Sequence, residues 1–116
     1  MISLPELQLV FDNLDEGIIF ITRSRRVIAN NAAACRLLGH QTALDKLCPG
    51  ILQGADCAKH CDLNDQCTFI TENRTDGINQ DIVVRRPDGA LIQLRMCAIA
   101  LPDETHCAIV LRGTNW

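Results

Sequence analysis

Residues 17–39 read GIIFITRSRRVIANNAAACRLLG, and this stretch decides the fold. The apolar run Ile18-Ile19-Phe20-Ile21 and the shorter run Val27-Ile28-Ala29 are separated by a polar turn from Thr22 to Arg26, which predicts a pair of strands. Asn30 or Asn31 then stands where a helix N-cap is wanted, and Ala32, Ala33, Ala34, Cys35, Leu37 and Leu38 form a short helix that Gly39 stops. Arg23, Arg25 and Arg26 read as a solvated turn.

Upstream, Ser3-Leu4-Pro5-Glu6 has the form of a capping box with Pro just inside a helix start, and Leu4, Leu7, Val10, Phe11 and Leu14 recur at helical spacing. An N-terminal helix is expected within residues 1–16, with Gly17 ending it. Asp12, Asp15 and Glu16 read as its solvated end. Downstream, Ile78 to Arg85, Leu91 to Leu101 and His106 to Leu111 are expected as strands, joined by turns at Pro87-Asp88-Gly89 and at Pro102 to Thr105. Tight turns between consecutive strands call for an antiparallel meander, and the class is α+β.

Between the two strand groups, residues 43–68 lose periodicity, leaving short helical turns, and a last helical piece is expected from Phe69 to near Gly77. This loop carries Cys48, Cys57, Cys61 and Cys67. Thiolates gathered on one loop can ligate a metal or an iron–sulfur cluster, and Cys57 and Cys61, four apart, would share one face of a helical turn. Two other readings stand beside ligation: redox-active thiols, and inert packing, because a free Cys behaves as a small hydrophobe. The paired Cys-x2-Cys turns common in zinc knuckles are absent. An oxygen-sensitive iron–sulfur cluster is expected ahead of zinc, since zinc is redox-silent. Asp56, Asp62 and Asp65 flank these cysteines as solvated charge or as tuning groups. Of His40, His60 and His106, only His60 lies in the loop. Cys35 and Cys107 alternate with apolar neighbours and are expected in the core; Cys97 is expected to face away from Ile92, Leu94 and Met96.

The chain has 116 residues, 47% hydrophobic but only 3% aromatic, with a net charge of −3. That charge leaves no basic footprint for nucleic acid. No export signal or membrane-length apolar run is present, and seven cysteines is an odd count, so a cytoplasmic, reducing setting is expected. Ser3 and Ser24 are the only serines and sit at a cap and a turn, no phosphate loop or nucleophile elbow occurs, and no enzyme is expected.

The order of elements, with Gly17 to Ile21, Asn30-Asn31-Ala32, Leu38-Gly39 and Arg86-Pro87-Asp88-Gly89 at their spacings, resembles a PAS sensory domain across essentially the whole chain. The Cys loop is similar to that of PAS domains found ahead of NtrC-type activators and histidine kinases. The resemblance implies a five-stranded antiparallel sheet, short helices on one face, and a small pocket between them. It implies one domain over residues 1–116, with a core from residue 17 and a Cys loop at 48–67. The flavin-photoreceptor signature around a reactive Cys is missing, and no histidine is placed as a haem ligand on the later helices. The expected function is sensing of redox state, oxygen or a related small molecule through a centre on Cys48, Cys57, Cys61 and Cys67, in a module of a longer bacterial signalling chain with its own effector domain. The alternative is a ligand-binding or dimerisation module with structural cysteines. A homodimer is expected through Leu7, Val10, Phe11 and Leu14.

Overall fold

The computed structural model describes residues 4–52, 66–72 and 74–113. Its elements run α1 (Leu4–Asp12), β1 (Gly17–Thr22), β2 (Val27–Asn30), α2 (Ala32–Leu38), α3 (Cys48–Ile51), α4 (Thr68–Thr71), β3 (Ile78–Arg85), β4 (Leu91–Ala100) and β5 (His106–Gly113). The five strands make one sheet in the order β2-β1-β5-β4-β3, antiparallel at every seam. The first hairpin and the last strand therefore meet at the centre, where Gly17 pairs with Leu111 and Thr22 with His106. On its other side β5 carries β4, from Leu94 opposite Gly113 to Ala100 opposite Cys107.

Alternation along the strands sorts the side chains. Ile19, Ile21, Ile82, Val84, Leu94, Met96, Ala98, Cys107, Ile109 and Leu111 line one buried face, and Ala34, Leu38, Ile51, Leu52 and Ile70 from the helices cover it. Cys97 lies half-buried on the opposite face, as the register requires. Cys35, expected in the core, is also only half-buried. It lines an open cleft with Gln8, Ile28 and Gln41, because the buried stripe of α2 is Ala33, Ala34 and Leu38.

Asn31 is the joint between these layers. Fully buried, it caps α2 by accepting from the Ala34 N–H at 3.0 Å, accepts from the Ile18 N–H at 2.8 Å, and donates to the Phe11 and Glu16 carbonyls at 3.0 and 2.9 Å. Both lone pairs and both amide hydrogens are used. This clamp stops α1 at Asp12, short of the Gly17 end expected from its periodicity. Asp12, expected to be solvated, accepts from the Ala32 N–H at 3.1 Å, and Glu16 pairs with Arg112 at 2.9 Å. Gly17 instead opens β1, where a Cβ would lie 2.8 Å from the Ala34 Cα.

Phe11, expected in an exposed stripe, packs on Phe20 with ring centroids 6.1 Å apart. Leu7, Leu9, Val10 and Leu14 remain exposed. The last helix, expected to run toward Gly77, ends at Thr71, and Gly77 adopts a positive φ ahead of β3. At the far hairpin, Arg86 donates to the Arg36 carbonyl at 2.9 Å, fastening the β3–β4 turn to the end of α2.

Candidate functional site

The turn between β1 and β2 organises the cysteines. Its Arg25 carbonyl accepts from the Cys48 N–H at 2.7 Å, and its Arg23 carbonyl accepts from the Cys67 N–H at 3.1 Å. The chain beside Cys48 is also laid along β2, with Val27 N–H on the Lys46 carbonyl and Asp45 N–H on the Val27 carbonyl, each at 2.9 Å. One turn therefore fixes the two ends of the loop that runs from Cys48 to Cys67. Cys57, Cys61, His60, Asp56, Asp62 and Asp65 lie outside the described residues.

Cys48 and Cys67 are 7% and 5% exposed and belong to the same core cluster as Cys107. Cys107 enters from β5, paired with Ile21 in register, on the inner face of the sheet. Its thiol donates to the Ala108 carbonyl at 3.6 Å. None of the three is in a disulfide.

Arg25, read from the sequence as part of a solvated turn, is 8% exposed. Its φ of 74° is in the left-handed region, which carries the chain round the turn. Arg23 and Arg26 stay outside; Arg26 donates to the Asp45 carbonyl at 2.8 Å.

The environment separates the Cys67 and Cys107 thiols. The side-chain interaction with Cys107 comes first, and the Ile70 and Phe69 N–H groups and the Arg25 charge add to it; together they outweigh burial and hold the Cys67 thiol below its ordinary value. Cys107 is pushed up, first by its interaction with Cys67, then by burial and by the charges that Cys67 and Cys48 would carry. The two shifts run in opposite directions, Cys67 down and Cys107 up.

As donors for a metal or cluster, Cys48 and Cys67 have the right chemistry: soft sulfurs, withdrawn from water. Among the described residues, no group of three or more His, Cys, Asp or Glu side chains is arranged to hold a metal ion. Ligation thus depends on Cys57 and Cys61. The two described histidines have other partners: His40 pairs with Lys46 Nζ at 3.0 Å, and His106 Nδ1 with Asp103 Oδ2 at 2.7 Å.

Sequence reasoning missed two members of this cluster, Arg25 and Cys107. Nothing local marks Arg25, which sits between exposed Ser24 and Arg26. Cys107 was assigned to the right face, but its neighbours depend on β5 lying against β1, which periodicity within β5 does not report.

Among the described residues no helix is long and apolar enough to cross a membrane. No curated protein sequence matches the chain. Solved structures with the same fold include the PAS domain of an HTR-like protein from Haloarcula marismortui, at 16% identity and TM-score 0.71, covering 94% of this chain and 89% of that one. A PAS domain from a two-component sensor histidine kinase matches at 16% identity and TM-score 0.70 over 93% of each chain. The PAS domain of nitrogen regulation protein NR(II) from Vibrio parahaemolyticus matches at 14% identity and TM-score 0.67, over 97% of this chain and 99% of that one. A family model for a PAS domain matches residues 6–74, which take in most of α1, the first hairpin, α2 and both described loop cysteines. With that match and this sheet order, the chain belongs to the PAS domain family.

Proposed function

We propose that this PAS domain is the sensory module of a bacterial, cytoplasmic signalling protein, and that it reports redox state, oxygen or a related small molecule through its cysteine loop. It acts as a sensor and not as an enzyme. The observation that carries the reading is the convergence of Cys48 and Cys67 on one turn, beside buried Arg25. A loop anchored at both ends by thiol-bearing residues transmits any change at its sulfurs into the β1–β2 hairpin.

Cys48, Cys57, Cys61 and Cys67 would hold an iron–sulfur centre, a group whose oxidation state and integrity respond to oxygen. The protein's own part is to shield Cys48 and Cys67 from bulk water and to favour the thiolate through Arg25 and the N–H groups of Phe69 and Ile70. From the hairpin, the Asn31 clamp leads to the end of α1, and the β1–β5 seam leads to Gly113. The proposed partners are a second copy, through the exposed face of α1, and an effector domain of the same longer chain. The similar solved domains named for a sensor histidine kinase and for a nitrogen regulation protein support an effector of that kind.

The alternative, a ligand-binding or dimerisation module with structural cysteines, draws on the depth at which Cys48 and Cys67 are packed. Protein purified without oxygen separates the two. Iron, sulfide and visible absorption, each lost on Ser replacement at any of Cys48, Cys57, Cys61 or Cys67, are expected. Colourless, iron-free wild-type protein would overturn the ligated centre.

A further inference from the structure

β3 is an edge of the sheet, with β4 on one side only. The hairpin that follows it fixes its hydrogen-bonding phase. The Arg86 N–H donates to the Ala90 carbonyl at 2.8 Å, and the register continues through Val84 opposite Ile92, so the backbone groups of Val84, Ile82, Gln80 and Ile78 turn toward β4. Those of Asn79, Asp81, Val83 and Arg85 turn outward, and among the described residues none of them has a backbone partner on that side. The side chains of Asp81, Val83 and Arg85 share the exposed face, with Ile82 and Val84 buried between them. Edge strands are commonly shortened, bulged or broken by proline; this one runs for 8 residues in unbroken register with β4.

Asp81 and Arg85 stand two residues to either side of Val83 and carry opposite charges. If two copies pair antiparallel about a two-fold axis at Val83, outward backbone meets outward backbone: Val83 exchanges hydrogen bonds with the partner's Val83, and Asp81 with the partner's Arg85. Both cross-strand charge pairs are then of opposite sign. An axis at Asp81 or Arg85 sets like charges face to face, and one at Ile82 or Val84 leaves both charges opposite neutral residues. Asp81 accepts from Arg95 Nε at 3.2 Å through Oδ1, which keeps Oδ2 for a partner, and Arg85 has no ion pair among the described residues.

We infer that the outer edge of β3 is a self-association surface that takes β3 of a second copy, antiparallel and centred on Val83. The contact goes beyond the one proposed for α1. That helix lies against β1 through Phe11 and Phe20, and β5 and β4 stand between β1 and β3, so one chain can make both contacts at once. Two different two-fold contacts on one chain extend into a row instead of closing into a pair. One strand's width is a small interface, so the edge contact forms only in concentrated protein.

The test is amide hydrogen exchange, residue by residue, in the wild-type chain at two concentrations. The amides of Asp81, Val83 and Arg85 should slow by about tenfold between about 10 μM and about 1 mM protein, while those of Ile82 and Val84, already bonded to β4, should not change. Arg85→Glu should abolish the slowing, and combining it with Asp81→Lys, which restores opposite charges across the axis, should bring it back. The Asp81–Arg95 pair is exposed, so its loss in the double variant leaves the fold in place. Fast exchange at both concentrations overturns the inference, as does slowing that ignores both charge changes. Slow exchange that is equal at both concentrations assigns the edge to a cover from its own chain and overturns it too. Val10→Asp should keep the slowing; its loss there would make the protection a consequence of α1 pairing and leave the edge with no contact of its own.

Discussion

Replacing Asn31 with Ala should remove more stability than its small volume change suggests. Four partners are stranded: the Ile18 and Ala34 N–H groups and the Phe11 and Glu16 carbonyls. Loss of an N-cap costs about 1 kcal/mol, and each buried polar group left without a partner costs about 1–3 kcal/mol. Three of the four bonds are only part-buried, so water recovers some of this. A net loss of about 3–5 kcal/mol is expected, against a total of about 5–15 kcal/mol for a domain of this kind. In a thermal scan this is a fall in Tm of about 10–20 °C. Urea unfolding followed by far-ultraviolet circular dichroism is the suitable assay, because the chain has no Tyr and its single Trp is the last residue. Asn31→Asp adds a second measurement. It keeps both acceptor bonds but turns a carboxylate toward two carbonyls, which raises its pKa in the folded state. The Asp variant should therefore gain on the Ala variant as pH falls, and lose that advantage as pH rises from the unfolded carboxyl value through the folded one. A loss below about 1 kcal/mol in the Ala variant, with amide exchange at Ile18 and Ala34 unchanged, would refute the clamp.

Gly17→Ala places a methyl 2.8 Å from backbone of α2, and should cost about 1–3 kcal/mol by chemical denaturation; a neutral result would mean that α2 can retreat from β1. In metal-free, reduced protein, Cys67 is held at about 7 against the ordinary 9.0, so its contribution to stability is full above pH 9.0 and lost as pH falls through about 7. Cys107, shifted the other way, contributes below 9.0 and loses that above it. Thiolate absorbance on titration, compared with Cys67→Ser, should show the first ionisation vanish with Cys67; persistence of that step would assign it elsewhere. Val10→Asp, on the exposed face of α1, should lower the mass in solution toward one chain while leaving the melt unchanged; a wild type already monomeric at high concentration removes the dimer.

Much of the scaffold was readable because its signals are local. The expected strand from Ile78 to Arg85 is the observed β3, and the Asn31 cap and Gly39 stop of α2 are where the residue types place them. Features set by distant partners were less accessible. The end of α1 depends on an amide twenty residues further on, and the place of Cys107 beside Ile21 depends on how the first and last strands meet. Two of the four expected ligands, Cys48 and Cys67, come to one place, while Cys57 and Cys61 lie outside the described residues. Arg25 shows the limit most plainly, since its composition matches that of its exposed neighbours Arg23 and Arg26 while its side chain is buried.

The central position of β5 also governs how this chain can be made. Until residues 106–113 have left the ribosome, β1 and β2 form one hairpin, β3 and β4 a second one, and no strand pairing joins them. Two-stranded units are marginal in water. The sheet therefore closes late and in one step, when the final strand slides between two waiting edges. Any truncation before His106 should leave two exposed strand edges open to other chains, making the cut protein a candidate for aggregation during synthesis.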